Sequence, residues 1–322
     1  MKYCFGPVPS RRLGLSLGVD ILPKKTCNLD CVYCEIGPTR KYITKRAEYT
    51  PAESIMNELK KVLTEDKVKF DCLTFTASGE PALHSRLGEL ISYAKQYTDK
   101  PITVLTNSTL TYDEKVRNEV CQADILLPSL DSALEPSFKK INRPAPGIEL
   151  AKIIYGLEKL RLQFKGEIWL EVLLVKGIND KEEEAYALKD LLDRLRPDKI
   201  QLNTVDRPPA VKDVEPVSLE TIKNFAEILG PRSEIIADFN RKGSQLQSLL
   251  LKKEIVDLLA RRPLRKRDIE KLFASTTQQA KQILTQLEKD GCIIKKRFKD
   301  ETFYVLKTDK DNACAQSGKI NA

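Results

Sequence analysis

Three cysteines fall within eight residues, in the segment Cys27-Asn28-Leu29-Asp30-Cys31-Val32-Tyr33-Cys34. A structural zinc site wants four closed ligands, usually as two separated pairs, whereas iron-sulfur clusters take thiolates from close runs such as this one. Three thiolates on a four-iron cluster leave one iron open. An open iron can bind a small chelating molecule and hand it an electron, which a fully protein-ligated carrier cannot do. The spacing therefore points to an enzyme rather than a ferredoxin. The other cysteines, Cys4, Cys72, Cys121, Cys292 and Cys314, are scattered singly. Cys72 and Cys121 lie in apolar surroundings and read as small hydrophobes. A disulfide framework is not needed in a chain of 322 residues of which 41% are hydrophobic.

The remaining reactive groups are sparse. His84 is the only histidine, which excludes a histidine pair or a Ser-His-Asp triad; at a helix start it reads as a packing or hydrogen-bonding residue. Lys24, Lys25 and Lys176 are lysines that could face a site, but no spacing singles one out as a Schiff-base former.

Such a loop needs a scaffold, and the first 240 residues supply one by alternating β-rich runs with helical patterns, the mark of βα units on a parallel sheet. Strands are expected near Ser16 to Leu22, Phe70 to Thr76, Pro101 to Thr106, Asp124 to Leu130, Ile168 to Val175 and Lys199 to Val205, with an extra one near Glu234 to Phe239. Helices are expected near Leu87 to Gln96, Glu149 to Leu162, Glu182 to Leu195 and Leu219 to Leu229. A further helix carries the stripe Ile55, Leu59, Val62 and Leu63, opened by a capping box of Thr50 and Glu53 around Pro51. Six βα units are too few to close a full barrel, so the expected fold is an open α/β partial barrel with its site at the C-terminal ends of the strands. Polar residues cluster there: Ser78-Gly79-Glu80-Pro81 after the second strand, Thr106-Asn107-Ser108 after the third, Ser129-Leu130-Asp131 after the fourth and Asn203 to Arg207 after the sixth. Asn107, Ser129 and Asp131 are either ligand contacts or strand-end turn formers. Arg143, Asn179, Asn203 and Arg207 are candidate substrate contacts on the same rim, or plain loop residues.

Beyond Asn240 the pattern changes to three short helices and a hairpin, an order that resembles a winged helix-turn-helix. Helical stripes run through Ile255, Val256, Leu258 and Leu259, then Ile269, Leu272 and Phe273, then Ala280, Ile283, Leu284 and Leu287. Ser275 with Gln278 caps the third helix and Gly291 ends it. The expected division is a barrel at 1–240, a winged helix at 241–307 and a disordered tail at 308–322. Charge follows the same division: 15 basic and 8 acidic residues lie between Lys252 and Lys307, while the whole chain carries +8. Lys281, Lys295, Lys296 and Arg297 are therefore candidate nucleic-acid contacts, with Thr277, Gln279, Gln282 and Gln286 on the exposed helix face. Protein docking is the competing role for this unit. No run free of charge is long enough to span a bilayer, and the start has no apolar leader pattern, so a cytoplasmic protein without a membrane partner is expected.

The CxxxCxxC loop with Tyr33 before its last cysteine resembles the radical S-adenosylmethionine (SAM) superfamily. In that family the open iron chelates the methionine of SAM, and one electron from the reduced cluster releases a 5′-deoxyadenosyl radical that abstracts hydrogen from a substrate. The resemblance implies a 4Fe-4S cluster on Cys27, Cys31 and Cys34, SAM as the second cofactor, and a reductant of flavodoxin or ferredoxin type. Ser78-Gly79-Glu80-Pro81 is similar to the family's GGEP motif, which implies that this turn accepts from the methionine ammonium, with glycine allowing the backbone to approach. Asn107, Ser129 and Asp131 then fall where ribose contacts occur, and Tyr33 either stacks near the adenine or fills the core. Phe5 to Gly14, the segment from Ser78 to His84 and Leu202 to Pro209 further resemble tRNA wyosine synthases and a bacterial group related to them. Wyosine synthases hold a second cluster on additional N-terminal cysteines; here only Cys4 precedes the loop.

Three function classes follow. The first is a radical enzyme acting on RNA, as in tRNA modification, delivered by the basic domain. The second is a radical enzyme for a small molecule or peptide, with the winged helix used for association. The third is a cluster-bearing redox or SAM sensor that binds DNA, which would have no need of a SAM-orienting turn.

Overall fold

The computed structural model describes residues 1–65, 68–236, 252–265, 267–268 and 284–307. Eight strands form one sheet in chain order: β1 (Cys4–Ser10), β2 (Gly14–Asp20), β3 (Cys72–Thr76), β4 (Ile102–Thr106), β5 (Ile125–Pro128), β6 (Glu167–Leu174), β7 (Lys199–Thr204) and β8 (Ser233–Ile235). Only the β1–β2 hairpin is antiparallel; β2 through β8 are parallel neighbours. When parallel strands succeed each other in chain order through right-handed crossovers, every helix falls on one face and the sheet curls around the other. Six βα units thus build an open barrel wall.

The helices are α1 (Ala52–Thr64), α2 (Leu87–Ala94), α3 (Glu114–Val120), α4 (Glu135–Asn142), α5 (Leu150–Gln163), α6 (Glu182–Leu195) and α7 (Leu219–Leu229). Ile55 and Leu59 of α1, Leu87 and Ile91 of α2 and Leu188 of α6 are fully buried in one core with Leu17, Leu73, Phe75 and Val104 of the strands. Each such side chain contributes roughly 1.5–3 kcal/mol by leaving water.

The start of α1 differs from expectation. Pro51 occupies the N-cap and contributes no side-chain bond. Glu48 instead accepts from the Ala52 N–H at 2.7 Å, and Glu53 reaches outward to Arg86 at 2.6 Å. The elements β1, α3 and α4 are additional to those expected. β1 carries Pro7 and Pro9, tolerable because an edge strand has one row of groups with no ladder partner.

After the barrel come α8 (Lys252–Arg261), β9 (Leu264–Arg265), a helical stretch at 284–289, and the hairpin β10 (Ile293–Phe298) with β11 (Glu301–Leu306). The three strands pair in the order β10-β11-β9. Gly291, at φ +67°, ends the helical stretch, its N–H donating to the Glu288 carbonyl. The expected cap at Ser275 and Gln278, the second helical stripe, and Thr277, Gln279, Lys281, Gln282 and the tail at 308–322 lie outside the described residues. Leu258, Leu259, Leu264, Leu284, Leu287 and Ile293 form a second core that also takes in Val8 of β1.

This unit is docked on the barrel by ion pairs. Arg265 is almost fully buried and reaches both oxygens of Asp206, each at 3.0 Å. Arg261 pairs with Asp20 at 2.7 Å and bonds the Lys2 carbonyl. From the barrel side, Arg207 donates to the Pro263 carbonyl.

Candidate active site

The cysteine loop leaves the C-terminal end of β2 and is pinned at several points. Val32 N–H donates to the Ile141 carbonyl, Asp30 N–H to the Asn142 carbonyl, and Ile43 N–H to the Cys27 carbonyl. Two successive tight turns, Cys34 N–H to Cys31 O and Gly37 N–H to Cys34 O, fold the segment on itself. Each cysteine sulfur receives a side-chain N–H. Asn107 Nδ2 approaches Cys27 Sγ at 3.8 Å, Asn142 Nδ2 approaches Cys31 Sγ at 3.4 Å, and Lys25 Nζ approaches Cys34 Sγ at 3.2 Å. Such donors stabilise thiolate and set the potential of a bound cluster. Burial pushes the Cys27 thiol up to about 11 and holds the Cys31 thiol well above its ordinary value. Metal binding at these positions therefore releases protons.

Among the described residues no three His, Cys, Asp or Glu side chains converge on one ion position. A cluster does not require it, because each thiolate binds a different iron. The three cysteines instead line a common cavity of about 420 Å³ together with the Ser78–Glu80 turn, Asn107, Ser129 and Asn203.

The turn after β3 is held against the cysteine loop. A Cβ on Gly79 would lie 1.9 Å from the Thr26 carbonyl oxygen, so glycine is required there by the crossing backbone. Glu80 N–H donates to that same carbonyl at 3.0 Å, and Lys25 N–H donates to the Ser78 carbonyl. The Glu80 carboxylate, 1% exposed, accepts from Ala82 N–H, Thr106 Oγ1 and Asn107 N–H at 2.9, 2.7 and 2.6 Å. It ties two strand ends together. Asp20 accepts from both the N–H and the hydroxyl of Ser78, and Pro81 begins a short 3-10 turn through Leu83.

Asp131, expected near a ribose, is instead saturated within the protein. Tyr33 OH and Asn142 Nδ2 both reach its Oδ2 at 2.6 Å, and Leu173 N–H reaches Oδ1 at 3.0 Å. Burial pushes its carboxyl up to about 6 despite those bonds. Asn107 has its amide on Asn28 and Cys27 and its oxygen on Thr109. Ser129 keeps its place on the cavity wall.

The rim residues separate into two pairs. Asn203 and Arg207 line the cavity. Arg143 and Asn179 do not: Arg143 ends α4 at φ +43° and faces Asp30 at 3.6 Å, while Asn179 is fully buried and bonds Val175 N–H and the Asp131 and Leu173 carbonyls. His84 is buried between the Thr50 carbonyl and the Arg86 N–H, a neutral hydrogen-bonding residue. Arg11 and Arg12, in the β1–β2 turn, cross the cavity to Asp206 at 2.9 Å and Glu171 at 2.7 Å. Burial alone would raise the Glu171 carboxyl, but Arg12, Asn203 and Arg11 outweigh it and hold it below the ordinary range. Lys25, one of the lysines that could face a site, does so beside Cys34, whereas Asn142, Asp20, Arg12 and Glu171 join the site without any local signal. Their partners lie in distant segments.

The Radical SAM superfamily model matches residues 21–188. The chain belongs to the radical SAM superfamily. A UPF0026 protein of Methanocaldococcus jannaschii is 33% identical over 312 residues, covering 95% of this chain and 96% of its own. A UPF0026 protein of Helicobacter pylori is 36% identical over 214 residues, covering 66% of this chain and 69% of its own. A longer protein of Brachyspira hyodysenteriae named GTPase Obg is 34% identical over 293 residues, which are 90% of this chain but only 43% of that one. Among solved structures, a radical SAM methyltransferase from Sphaerobacter thermophilus superposes with a TM-score of 0.52 at 18% identity, covering 68% of this chain and 66% of its own, a likeness of fold.

As a radical SAM enzyme, the protein uses a 4Fe-4S cluster and SAM. The donor set fits the cluster: three soft thiols on one wall, each already met by an N–H. Among the described residues no helix is long and apolar enough to cross a membrane.

Proposed function

We propose that Cys27, Cys31 and Cys34 hold the cluster, that the Ser78–Pro81 turn presents backbone groups to the methionine end of SAM, and that a small-molecule or peptide substrate enters from the side of Asn203 and Arg207. When bound, the cluster and SAM together supply a 5′-deoxyadenosyl radical that abstracts hydrogen. The observation that carries the reading is the sharing of one cavity by the three N–H-supported thiols and the turn after β3. Asp20 fixes that turn through Ser78, and Glu80 fixes Asn107, so both act by positioning. Arg12 and Glu171 hold the β1–β2 turn across the opening.

The unit beyond α7 is read as a winged helix. Its support is the order α8, β9, helix, β10, β11, with β11 central in the sheet. Arg261 and Arg262 from this unit line the cavity, which favours a low-molecular-weight substrate over a nucleic-acid strand. RNA is the second reading, supported by Lys296 and Arg297, exposed on strand β10; Lys295 is engaged by Glu288 at 2.7 Å. A flavodoxin- or ferredoxin-type reductant would supply the electron.

Anaerobic reconstitution with iron and sulfide, reduction with dithionite and addition of SAM should yield 5′-deoxyadenosine on chromatography. Replacing all three loop cysteines by Ala should abolish both the brown chromophore and the product. Full iron and sulfide retention in that variant would overturn the ligand assignment.

A further inference from the structure

Five guanidiniums line the cavity: Arg11, Arg12, Arg207, Arg261 and Arg262. Four are answered by carboxylates, on Asp206, Glu171, Glu35 and Asp20 respectively, at 2.7–2.9 Å. Arg262 is different. Among the described residues it forms no ion pair, and its Nε is buried without a hydrogen-bond partner.

The backbone around it is fixed. Arg261 is held by Asp20 and Lys2, the Pro263 carbonyl takes the Arg207 guanidinium, and Arg265 is clamped on Asp206. Arg262 is therefore positioned by its neighbours on both sides, next to a pair in which Arg207 answers Glu35, the residue that follows Cys34. Arg207 and Arg262 stand at this end of the cavity beside Glu35, with Asp268 the next carboxylate in the field of Arg262. A buried guanidinium N–H with no acceptor is costly, and an incoming anion that accepts from it removes that cost while gaining a charge-assisted bond.

We propose that Arg262 is the anchor for a carboxylate of a small-molecule substrate, seated in the cavity beside Arg207. This rests on the reading of the cavity as the radical site. Arg262 offers one guanidinium with no carboxylate in ion-pair contact among the described residues, which suits the single charge of a carboxylate, whereas a phosphate monoester carries nearly two. The planar fork of arginine suits bidentate carboxylate recognition. A cavity of about 420 Å³ that also receives SAM leaves room for a compact acid rather than a polymer backbone. Burial and nearby Arg207 lower the Arg262 pKa to about 10, so it stays charged at neutral pH.

The test uses the full chain with reconstituted cluster and SAM, held anaerobically, and follows the thermal unfolding midpoint as sodium acetate replaces sodium chloride at constant ionic strength. A saturable rise is expected, with apparent acetate affinity about tenfold weaker or worse in Arg262→Gln. Arg262→Lys, which keeps charge but not the fork, should retain part of the response. Lys189→Gln, which removes an equal charge from exposed α6, should respond as the parent does. An equal acetate response in Arg262→Gln, or no saturable response in the parent, overturns the proposal. So does tighter Arg262-dependent binding of methyl phosphate than of acetate, or Arg262-dependent binding confined to a transfer RNA. Lack of 5′-deoxyadenosine from the same preparation would fail the proposed reaction, whereas an Arg262-independent acetate response would fail the carboxylate site alone.

Discussion

The Glu80 carboxylate accepts from three donors, two on Oε1 and one on Oε2, and this fixes what its removal should do. Glu80→Ala leaves Ala82 N–H, Thr106 Oγ1 and Asn107 N–H without their acceptor, at a cost of about 2–4 kcal/mol. Urea unfolding of the cluster-free protein should show that loss, with weaker SAM binding following from a displaced Asn107. Unchanged stability with lost SAM binding would instead place the carboxylate on SAM. Gly79→Ala should be harsher for the cluster than for the fold, because the Thr26 backbone it displaces leads directly into Cys27; iron content after reconstitution reads this, and full loading would refute it. The cysteines and the Gly-Glu-Pro turn were legible because each is a local spacing. Of the donors to sulfur, Asn107 and Lys25 were among the sequence candidates, but Asn142 was not, since it meets Cys31 across 111 residues and only folding brings them together. Asp131 and Asn179 show the converse: polar residues at strand ends look like ligand contacts in sequence, yet the backbone ends and loop they connect absorb their hydrogen bonds.

Among elements, α6 and α7 have the bounds their periodicity predicts, helped in α7 by Ser218 accepting from Thr221 N–H. β1 was hidden by its prolines and by the fact that its worth is tertiary: it carries the turn from which Arg11 and Arg12 cross to β6 and β7. Arg12→Met should therefore destabilise the barrel by about 2–4 kcal/mol, because Glu171 is left buried without its cation. A double variant, Arg12→Met with Glu171→Met, should recover much of that in urea unfolding; no recovery would show that packing of the Arg12 stem, not charge, is what matters. The Asp131 junction between the cysteine loop, β6 and α4 gives a pH signature. Its folded pKa, about 6, lies above the unfolded value near 4, so the native state holds the extra proton in that window. The stability from this group is fully present below pH 4 and is lost as pH rises through 6, by about 3 kcal/mol at most. In cluster-free protein the stability of the parent relative to Asp131→Asn should accordingly increase as pH falls from 7 to 4. A difference independent of pH would remove Asp131 as the titrating group.

At the scale of the whole molecule, the positive balance of the C-terminal segment was legible as composition but not as location. Arg261, Arg262 and Arg265 turn inward to the barrel, so part of an excess that reads as a polyanion-binding surface is instead consumed in docking and in the cavity wall. This changes what a truncation can reveal. Removing residues 252–322 frees Asp20 from Arg261, and Asp20 is the group that holds both the N–H and the hydroxyl of Ser78. It also uncovers Val8 and the face of Phe5, over which the Arg261 guanidinium sits 4.5 Å from the ring centroid. Loss of activity on truncation would thus follow whether or not the unit touches nucleic acid. The point variant Arg261→Met separates the two effects, since it breaks the link to Asp20 while leaving Lys296 and Arg297 on β10. It should weaken SAM binding roughly three- to tenfold, measured by equilibrium dialysis on the cluster-loaded protein, without changing retention on an RNA-coupled matrix. SAM affinity equal to the parent's in both Arg261→Met and the truncated protein would mean that Asp20 holds the Ser78 turn unaided. The C-terminal unit would then bear on the site through the end of the cavity that Arg207 and Arg262 both line.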